Sequence, residues 1–323
     1  MSSVAENEKR DVFKHYFDLP SELRMGINEE MEVEDRCRFT RCSSLCQKEV
    51  RKSKNYVHGL EFNKINTEHL EIHVKHKPRT AENTSFGGYI LKFVKNDDEK
   101  TVEYLVNRES VAYTIDLDPD EIIDLSQAAL EYFENLLQLY QNTIKELILD
   151  GTQNFNFQIT SLTNLENLEI KNHFDFRNLT SKLRHPLKTM ILYSTRDKVL
   201  GDCEKICQVQ EFFESYGMKM RNDQFLRFSA KKMIMDIGEL TENDLFDFIN
   251  SWQNGSIREN FEKCTWNLTD SKFNIQYLLD LLQIGNTDLK CEEFVVKHNT
   301  EAGKFAKLRL QNMGMWKILD FSV

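Results

Sequence analysis

The spacing of apolar side chains changes along the chain and predicts helices first and strands afterwards. From Pro20 to about Met31, apolar residues recur every four positions, at Leu23 and Ile27, and this period predicts a helix with one apolar face. A second short helix is predicted up to about Arg51. Beyond it, stretches such as "LEIHVKH" and "YILKFV" alternate apolar and polar residues, which predicts β-strands.

A short apolar pattern then recurs through the middle of the chain. The pattern is apolar-x-x-apolar-x-apolar, and its first copies begin at Ile144, Leu165 and Leu187. Their intervals of 21 and 22 residues fit the period of leucine-rich repeats, roughly 20–29 residues. Further copies begin at Ala230, Phe261 and, less regularly, Phe305. Helices are predicted between the strands, notably over residues 203–217 and 241–252, so the whole predicts a strand-helix solenoid.

These changes of pattern divide the chain into five predicted segments. They are a polar arm (1–16), a helical segment (17–53), a β-rich N-terminal cap (54–120), a repeat-like region (121–290) and a C-terminal β meander (291–323). The helical segment is too short to bury its own apolar side chains. It therefore needs a second surface, which is either another protein or the strand region of this same chain.

Composition excludes several classes of partner. A net charge of −10 over 323 residues argues against nucleic acid, because phosphate binding needs clustered Lys and Arg. No apolar run reaches the roughly 18 residues of a membrane span, and the polar start "MSSVAENEKR" lacks the apolar core of a secretory signal. We therefore expect no nucleic-acid or membrane partner, and a cytoplasmic or nuclear protein whose seven cysteines stay reduced.

The N-terminal helical segment resembles an F-box, the motif that docks a protein onto the Skp-type adaptor of a cullin-based ubiquitin ligase. The resemblance covers "LPSELRMGINEEMEVEDRCRFTRCSSLCQKEV", residues 19–50. The matching residues are Leu19, Pro20, Leu23, Ile27, Met31, Cys37, Phe39, Cys42 and Ser43. The family commonly has leucine in place of Met31 and often an aromatic residue near Leu45.

A second resemblance lies near the C-terminus. "LTENDLFDFINSWQNGS", residues 240–256, is similar to the signature of the F-box-associated type 2 domain of the large nematode F-box family. The matching residues are Leu240, Thr241, Asp244, Leu245, Phe248, Trp252, Gly255 and Ser256. The meander from about Phe294 is similar to the usual end of these proteins, whereas "IRENF" departs from the Asn-Leu that the family places after the Gly-Ser.

The resemblance implies a non-catalytic substrate-recognition subunit of a Skp-cullin-F-box ubiquitin ligase. The implied fold is α+β, with an N-terminal helical F-box followed by a leucine-rich-repeat-like α/β solenoid with β-rich ends. The implied adaptor-binding residues are Leu19, Pro20, Leu23, Ile27, Met31, Cys37, Phe39, Cys42 and Leu45. A cullin is reached through the adaptor, no cofactor is expected, and the target-binding residues are not specified. The alternative is a repeat-containing interaction scaffold that acts outside a ligase.

Two other groups of residues suggest chemistry and have simpler interpretations. His69, His73 and His76, with Glu71, contain metal-binding side chains and would be the centre of a small metalloenzyme. Because apolar residues alternate with them, a solvated strand face is the better interpretation. Trp252 is either a ligand-stacking ring or core, and its apolar neighbours on the same predicted helix favour core.

Overall fold

The computed structural model describes residues 16–31, 39, 42–52, 57–66, 69–76, 88–96, 99–106, 109–111, 125–151, 159–172, 177–193, 204–215, 220–256, 260–268, 273–284, 293–301, 303–313 and 316–323. After a 3-10 turn at Tyr16–Asp18 come helices α1 (Ser21–Glu30) and α2 (Ser44–Lys52). An antiparallel region follows, with strands β1 (Val57–Lys64), β2 (His69–His76), β3 (Gly88–Asn96), β4 (Glu99–Val106) and β5 (Glu109–Val111).

Helix α3 (Leu125–Tyr140) leads into a series of short parallel strands. The order is β6 (Glu146–Asp150), β7 (Asn167–Lys171), α4 (Arg177–Ser181), β8 (Thr189–Tyr193), α5 (Glu204–Cys207), β9 (Glu211–Ser215), α6 (Asn222–Arg227) and β10 (Lys232–Asp236). The chain ends with α7 (Glu242–Gln253), β11 (Lys263–Leu268), α8 (Ile275–Leu281), β12 (Glu293–Lys297), β13 (Phe305–Met313) and β14 (Trp316–Ser322).

All the described strands join one 14-stranded mixed sheet. Its order is β12-β13-β14-β11-β10-β9-β8-β7-β6-β1-β2-β3-β4-β5. Strand β1 and the strands β6 to β11 are parallel to one another, and antiparallel strands extend the sheet at both ends. The register repeats from strand to strand: Leu147 lies opposite Leu168, which lies opposite Met190. This places the apolar residue of each strand in one continuous row.

The core lies between one face of this sheet and a sparse set of helices. On α3, Phe133 packs edge-on against Phe62 of β1, with ring centroids 5.3 Å apart. Farther along, Phe248 of α7 meets Phe225 of α6 at 4.9 Å and Trp266 of β11 at 5.7 Å. These rings are all buried, and such contacts add specific geometry to the hydrophobic stabilisation.

Glu166 links three successive turns of the parallel region. Its carboxylate accepts hydrogen bonds from Nζ of Lys145 at 2.7 Å and from Nζ of Lys188 at 2.6 Å. These two lysines lower the pKa of Glu166 to about 2. Because the three side chains are partly in solvent, each pair contributes only about 0.2–1 kcal/mol.

The predicted fold class is wrong. The protein is mostly β, with one mixed sheet rather than a helical F-box followed by an α/β solenoid with separate β-rich ends. Successive strands from β6 to β10 are separated by only 16 or 17 residues, and the described helices in these connections have 4–6 residues. Such connections are too short for a continuous helical layer. The 12-residue helix α7 occurs where the interval lengthens, between β10 and β11.

The N-terminal residues do not form a separate helical domain either. In the described part of this region, Tyr16, Phe39, Cys46 and Val50 make a small buried cluster. Leu139 of α3 packs against that cluster, so α1 and α2 lie on the sheet domain as two short helices. The four predicted boundaries between the five segments stay predictions.

Candidate adaptor-docking and target-binding surfaces

A buried ion pair joins α1 to α2. Nε of Arg24 lies 3.1 Å from Oε2 of Glu49, and the Glu49 side chain is almost completely buried. Nη1 of Arg24 also donates to the carbonyl oxygens of Leu19, at 2.7 Å, and Phe17, at 3.1 Å. The guanidinium therefore fixes the angle of both helices and the path of the chain that enters α1.

A second polar residue of α1 also points inward. Asn28 is fully buried, and its Oδ1 accepts a hydrogen bond of 3.0 Å from the Tyr16 hydroxyl. Burial raises the pKa of Tyr16 above its usual value, although the bond to Asn28 opposes this effect. Within the described residues, Nδ2 of Asn28 has no hydrogen-bond partner. The inner side of α1 is thus built from polar groups.

The outer side of the same helix exposes two large apolar residues, Leu23 and Ile27, next to the polar Ser21 and Glu22, whereas an amphipathic helix usually buries such apolar residues. Leu23 is 56% exposed and Ile27 is 39% exposed, while Leu45 of α2 is 48% exposed. Ile27 lies three residues after Arg24 and Leu45 four residues before Glu49, so each stands one helical turn from a member of the ion pair. The ion pair therefore has exposed apolar side chains beside it on both helices.

The structure divides the predicted adaptor-binding residues into three groups. Exposed residues are Pro20, Leu23, Ile27, Cys42 and Leu45, and partly exposed ones are Leu19 and Met31. Phe39 is buried against Tyr16, with ring centroids 4.9 Å apart, and Met31 packs on the same cluster. For these two residues the chain itself supplies the covering surface. Cys37 lies outside the described residues.

A second apolar group, which is partly exposed, lies on the face of the sheet opposite the core. Ile191, Phe213 and Ile234 are directly opposite one another on the adjacent strands β8, β9 and β10. Ile234 and Tyr193, the latter two residues after Ile191, are exposed, whereas Ile191 and Phe213 are partly buried. Since neighbouring strands lie about 4.8 Å apart, the three side chains form a row about 10 Å long. We call these four residues the open-face patch.

Carboxylates stand at both ends of this row. Glu169 is opposite Ile191 on β7, and on the other side Thr265 and then Asp320 follow Ile234. Each carboxylate has a lysine nearby, Lys171 at 3.2 Å from Glu169 and Lys263 at 3.2 Å from Asp320. The result is an apolar centre with a charged rim, the arrangement of many protein interfaces.

Sequence reasoning did not find the open-face patch, although the sequence contains a signal for it. A strand such as β7, "NLEIK", alternates apolar and polar residues because one face meets water. In β8 and β10 the runs "MILY" and "MIM" put apolar residues at the positions that alternation reserves for polar ones. An interrupted alternation on strands with one solvated face therefore marks an exposed apolar surface.

The histidines of β2 are held in an ion-pair network. Nε2 of His73 lies 2.9 Å from Glu71, and Nε2 of His69 lies 3.1 Å from the same carboxylate. Burial alone would raise the pKa of Glu71, but His73, Lys92 and His69 lower it below its usual value. The His76 side chain lies outside the described part of the structure. Among the described residues, no three metal-binding side chains lie close enough together to hold an ion. This face of β2 is a polar strand face, as its alternation indicates.

Trp252 belongs to the core. Its ring is buried between His298, with ring centroids 5.0 Å apart, and Phe321 of β14, at 5.3 Å. Both contacts are edge-on, and no open space remains for a stacked ligand on a ring that is this deeply buried. The core interpretation of Trp252 is confirmed.

Comparison with known proteins adds no family assignment. No family model, no curated protein and no solved structure matches this chain. Among the helices that the structure describes, none has the length and apolar character needed to cross a membrane.

Proposed function

We propose that this protein is a substrate-recognition subunit of a Skp-cullin-F-box ubiquitin ligase. The outer sides of α1 and α2 bind the Skp-type adaptor, which connects the protein to a cullin. The open-face patch binds a target protein, which is then ubiquitinated and degraded. The subunit is not an enzyme, because its contribution is to raise the concentration of target lysines near the charged conjugating enzyme.

The exposure of Leu23 and Ile27 on α1 is the observation that carries this proposal. Arg24 and Asn28 are held inside by specific polar contacts, while Leu23 and Ile27 stay in water. Covering a leucine or isoleucine side chain fully contributes about 1.5–3 kcal/mol. Because Leu23 is 56% and Ile27 39% exposed, a partner that covers both would gain about 1.5–3 kcal/mol in total.

The identity of the partner rests on the sequence resemblance. Leu19, Pro20, Leu23 and Ile27 occupy the positions of the F-box motif that contact a Skp-type adaptor in that family. The similarity of residues 240–256 to the F-box-associated type 2 signature points to the same nematode family. Most motif positions there are buried, including Leu245, Phe248 and Trp252, so in this protein the signature supports the fold rather than a target contact.

Adaptor binding is tested by the double substitution Leu23→Asp and Ile27→Asp. We expect the affinity for the adaptor, measured by calorimetry with purified proteins, to fall at least about 100-fold, because two central apolar contacts are replaced by charges. The matched control is Ile65→Asp, an equally exposed apolar residue after β1, which should leave binding unchanged. Binding that survives the double substitution, or a wild-type chain that does not bind the adaptor, would refute the docking assignment.

Target binding is tested separately with Phe213→Asp. This change places a charge in the middle of the open-face patch, far in sequence from the N-terminal helices. We expect the variant to keep adaptor binding. When the proteasome is blocked, the amount of target protein captured with the variant should be at least about 10-fold lower than with the wild type. Quantitative affinity mass spectrometry measures both. An unchanged set of captured proteins would place target binding elsewhere, and capture by a wild type that binds no adaptor would favour the scaffold alternative.

A further inference from the structure

Among the strands that the structure describes, none pairs with the outer side of β12, at one end of the sheet. It is the last strand in the sheet order and pairs with β13 on its inner side. Immediately after it, the N–H of His298 donates to the carbonyl oxygen of Lys304 at 3.0 Å, so His298 faces β13. Backbone groups alternate in direction along a strand. Val296 therefore also faces β13, while Val295 and Lys297 direct their backbone groups away from the sheet.

The side chains of this edge are unusual for a protected one. Phe294 and Val296 are buried on the core face, but Val295 is 57% exposed on the opposite face. Phe305 of β13, diagonal to Val295, is also 57% exposed. An exposed edge with apolar side chains is a template for pairing with another strand.

We propose that a second copy of this chain pairs with β12 in an antiparallel arrangement, about a two-fold axis at Val295. The sequence Glu293-Phe294-Val295-Val296-Lys297 is complementary to itself in that orientation. Glu293 lies opposite Lys297 of the second copy, Phe294 lies opposite its Val296, and the two Val295 side chains meet at the axis. The interface is isologous, as a two-fold dimer requires.

Charge selects this orientation. Opposite charges directly across a strand pair stabilise it, and like charges destabilise it. A parallel pairing in register would place Glu293 beside Glu293 and Lys297 beside Lys297, so only the antiparallel pairing satisfies both. Within its own chain Glu293 lies 2.9 Å from Lys307. In the dimer its carboxylate would be shared by two lysines, as the carboxylate of Glu166 is between Lys145 and Lys188.

Backbone and apolar contacts complete the interface. The N–H and C=O of Val295 exchange two hydrogen bonds with those of Val295 in the second copy. The end of α7 covers the last part of this edge, because Nε2 of Gln253 donates to the outward carbonyl oxygen of Lys297 at 3.1 Å and the carbonyl oxygen of Gln253 accepts the N–H of Asn299 at 2.8 Å. The Gln253 side chain must therefore turn aside before Lys297 can accept the Glu293 N–H of the second copy, while the Lys297 N–H already points outward. On the open face, Phe305 and Val295 of each copy continue into one apolar strip of four side chains across the axis.

The competing explanation is that Glu293 and Lys297 protect the edge from association, a common use of charged residues on edge strands. The two explanations differ in a measurable way. A protective edge predicts a monomer at every concentration, whereas a self-complementary edge predicts a dimer that depends on the order of the two charges. This inference does not depend on the proposed ligase function, because it requires neither the adaptor nor a target.

The test is a charge exchange in the full chain, measured by sedimentation velocity up to about 100 µM. We expect the wild type to dimerise and each of Glu293→Lys and Lys297→Glu alone to dimerise at least about tenfold more weakly, because each single change puts like charges opposite. An equimolar mixture of the two variants restores opposite charges at both positions and should form a heterodimer. Lys317→Glu, which changes an exposed lysine of an interior strand, is the matched control.

Each other outcome overturns the inference. A monomeric wild type at all concentrations favours a protective edge. A dimer that both single variants retain lies at another surface. A mixture that stays monomeric while the variants melt at the wild-type temperature shows that the charges do not pair in this order.

Discussion

Replacing Trp252 with alanine is expected to lower the free energy of unfolding by about 3–5 kcal/mol, the usual loss for a large buried aromatic residue. Trp252 closes the contact between α7 and the C-terminal strands, through Phe321 on β14 and His298 after β12. The alanine variant leaves a cavity at a point where a helix, the sheet and a hairpin meet. Such a site collapses poorly, because all three elements are fixed by other contacts.

The hairpin between β12 and β13 should loosen most in this variant. Nδ1 of His298 accepts the backbone N–H groups of Thr300, at 3.3 Å, and Glu301, at 3.1 Å, and so shapes the turn. The Trp252 ring packs against this imidazole ring in a T-shaped contact. The next residue, Gln253, accepts the N–H of Asn299 on its carbonyl oxygen at 2.8 Å. Loss of the tryptophan therefore weakens the support of β12 as well as the core.

Urea denaturation followed by circular dichroism measures this loss. The matched control is Tyr277→Ala on α8, since Tyr277 is an exposed aromatic residue and its removal should change the free energy by less than about 0.5 kcal/mol. Trp252→Phe keeps part of the packing and should fall between the two. A Trp252→Ala variant within 1 kcal/mol of the wild type, by the scale of core truncations, would show that this ring does not support the C-terminal strands.

Replacing Glu49 with alanine is expected to destabilise the N-terminal helices by about 3–5 kcal/mol, because it leaves the largely buried Arg24 without its counter-charge. The ion pair links α1 to α2 through two charged side chains. Without the Glu49 carboxylate, the Arg24 guanidinium either stays buried without a counter-charge or turns outward into water. In the second case it loses its hydrogen bonds to the carbonyl oxygens of Phe17 and Leu19. In either case we expect the relative position of the Ile27 and Leu45 side chains to change. The affinity for the adaptor should therefore fall as well.

A double-mutant cycle with Arg24→Ala separates the pair from its surroundings. We expect the loss in free energy of unfolding in the double variant to be smaller than the sum of the losses in the two single variants, because the second change removes the uncompensated charge. The coupling energy between the two residues should exceed about 1 kcal/mol. Hydrogen exchange of α1 and α2 provides the local readout. Glu22→Ala, which removes an exposed carboxylate from the same helix, is the control and should change little. Additive single effects would contradict the role of this pair.

The local elements that the sequence predicted correctly have strong short-range signals. The structure confirms α7, whose apolar residues follow the helical period and which begins with a capping box in which Thr241 and Asp244 bond each other's backbone groups. Strands β6, β7, β8, β10 and β11 lie where the short apolar pattern predicted them. Each signal depends on neighbouring residues alone, so no tertiary information was needed.

The predicted helix over residues 203–217 was wrong, and a buried carboxylate explains the error. This segment contains the short helix α5 and then strand β9. The repeat pattern places Glu214 at its third apolar position, so the copy beginning at Val209 was missed. The structure accommodates Glu214 in the core because its Oε2 accepts the backbone N–H of Asp236 at 3.3 Å. That bond comes from the neighbouring strand β10, 22 residues away in the sequence.

The sequence pattern also could not predict which face of each N-terminal helix is buried. The period placed Leu23, Ile27 and Met31 on one face, but Met31 packs inward on the buried cluster while the other two are exposed. Their direction is set by Arg24 and Asn28, whose partners are Glu49 and Tyr16, 25 and 12 positions away. A helical period gives relative angles around an axis and does not say which side meets the rest of the chain.

The sequence by itself determined where most strands and the longer helices lie, since those depend on local alternation and helical period. The tertiary structure alone decided that all described strands join one sheet, that polar residues of α1 face inward, and that β12 is the last of these strands. These features depend on contacts between residues far apart in sequence. Strand pairing and buried ion pairs are such contacts, and a local pattern of apolar residues does not specify them.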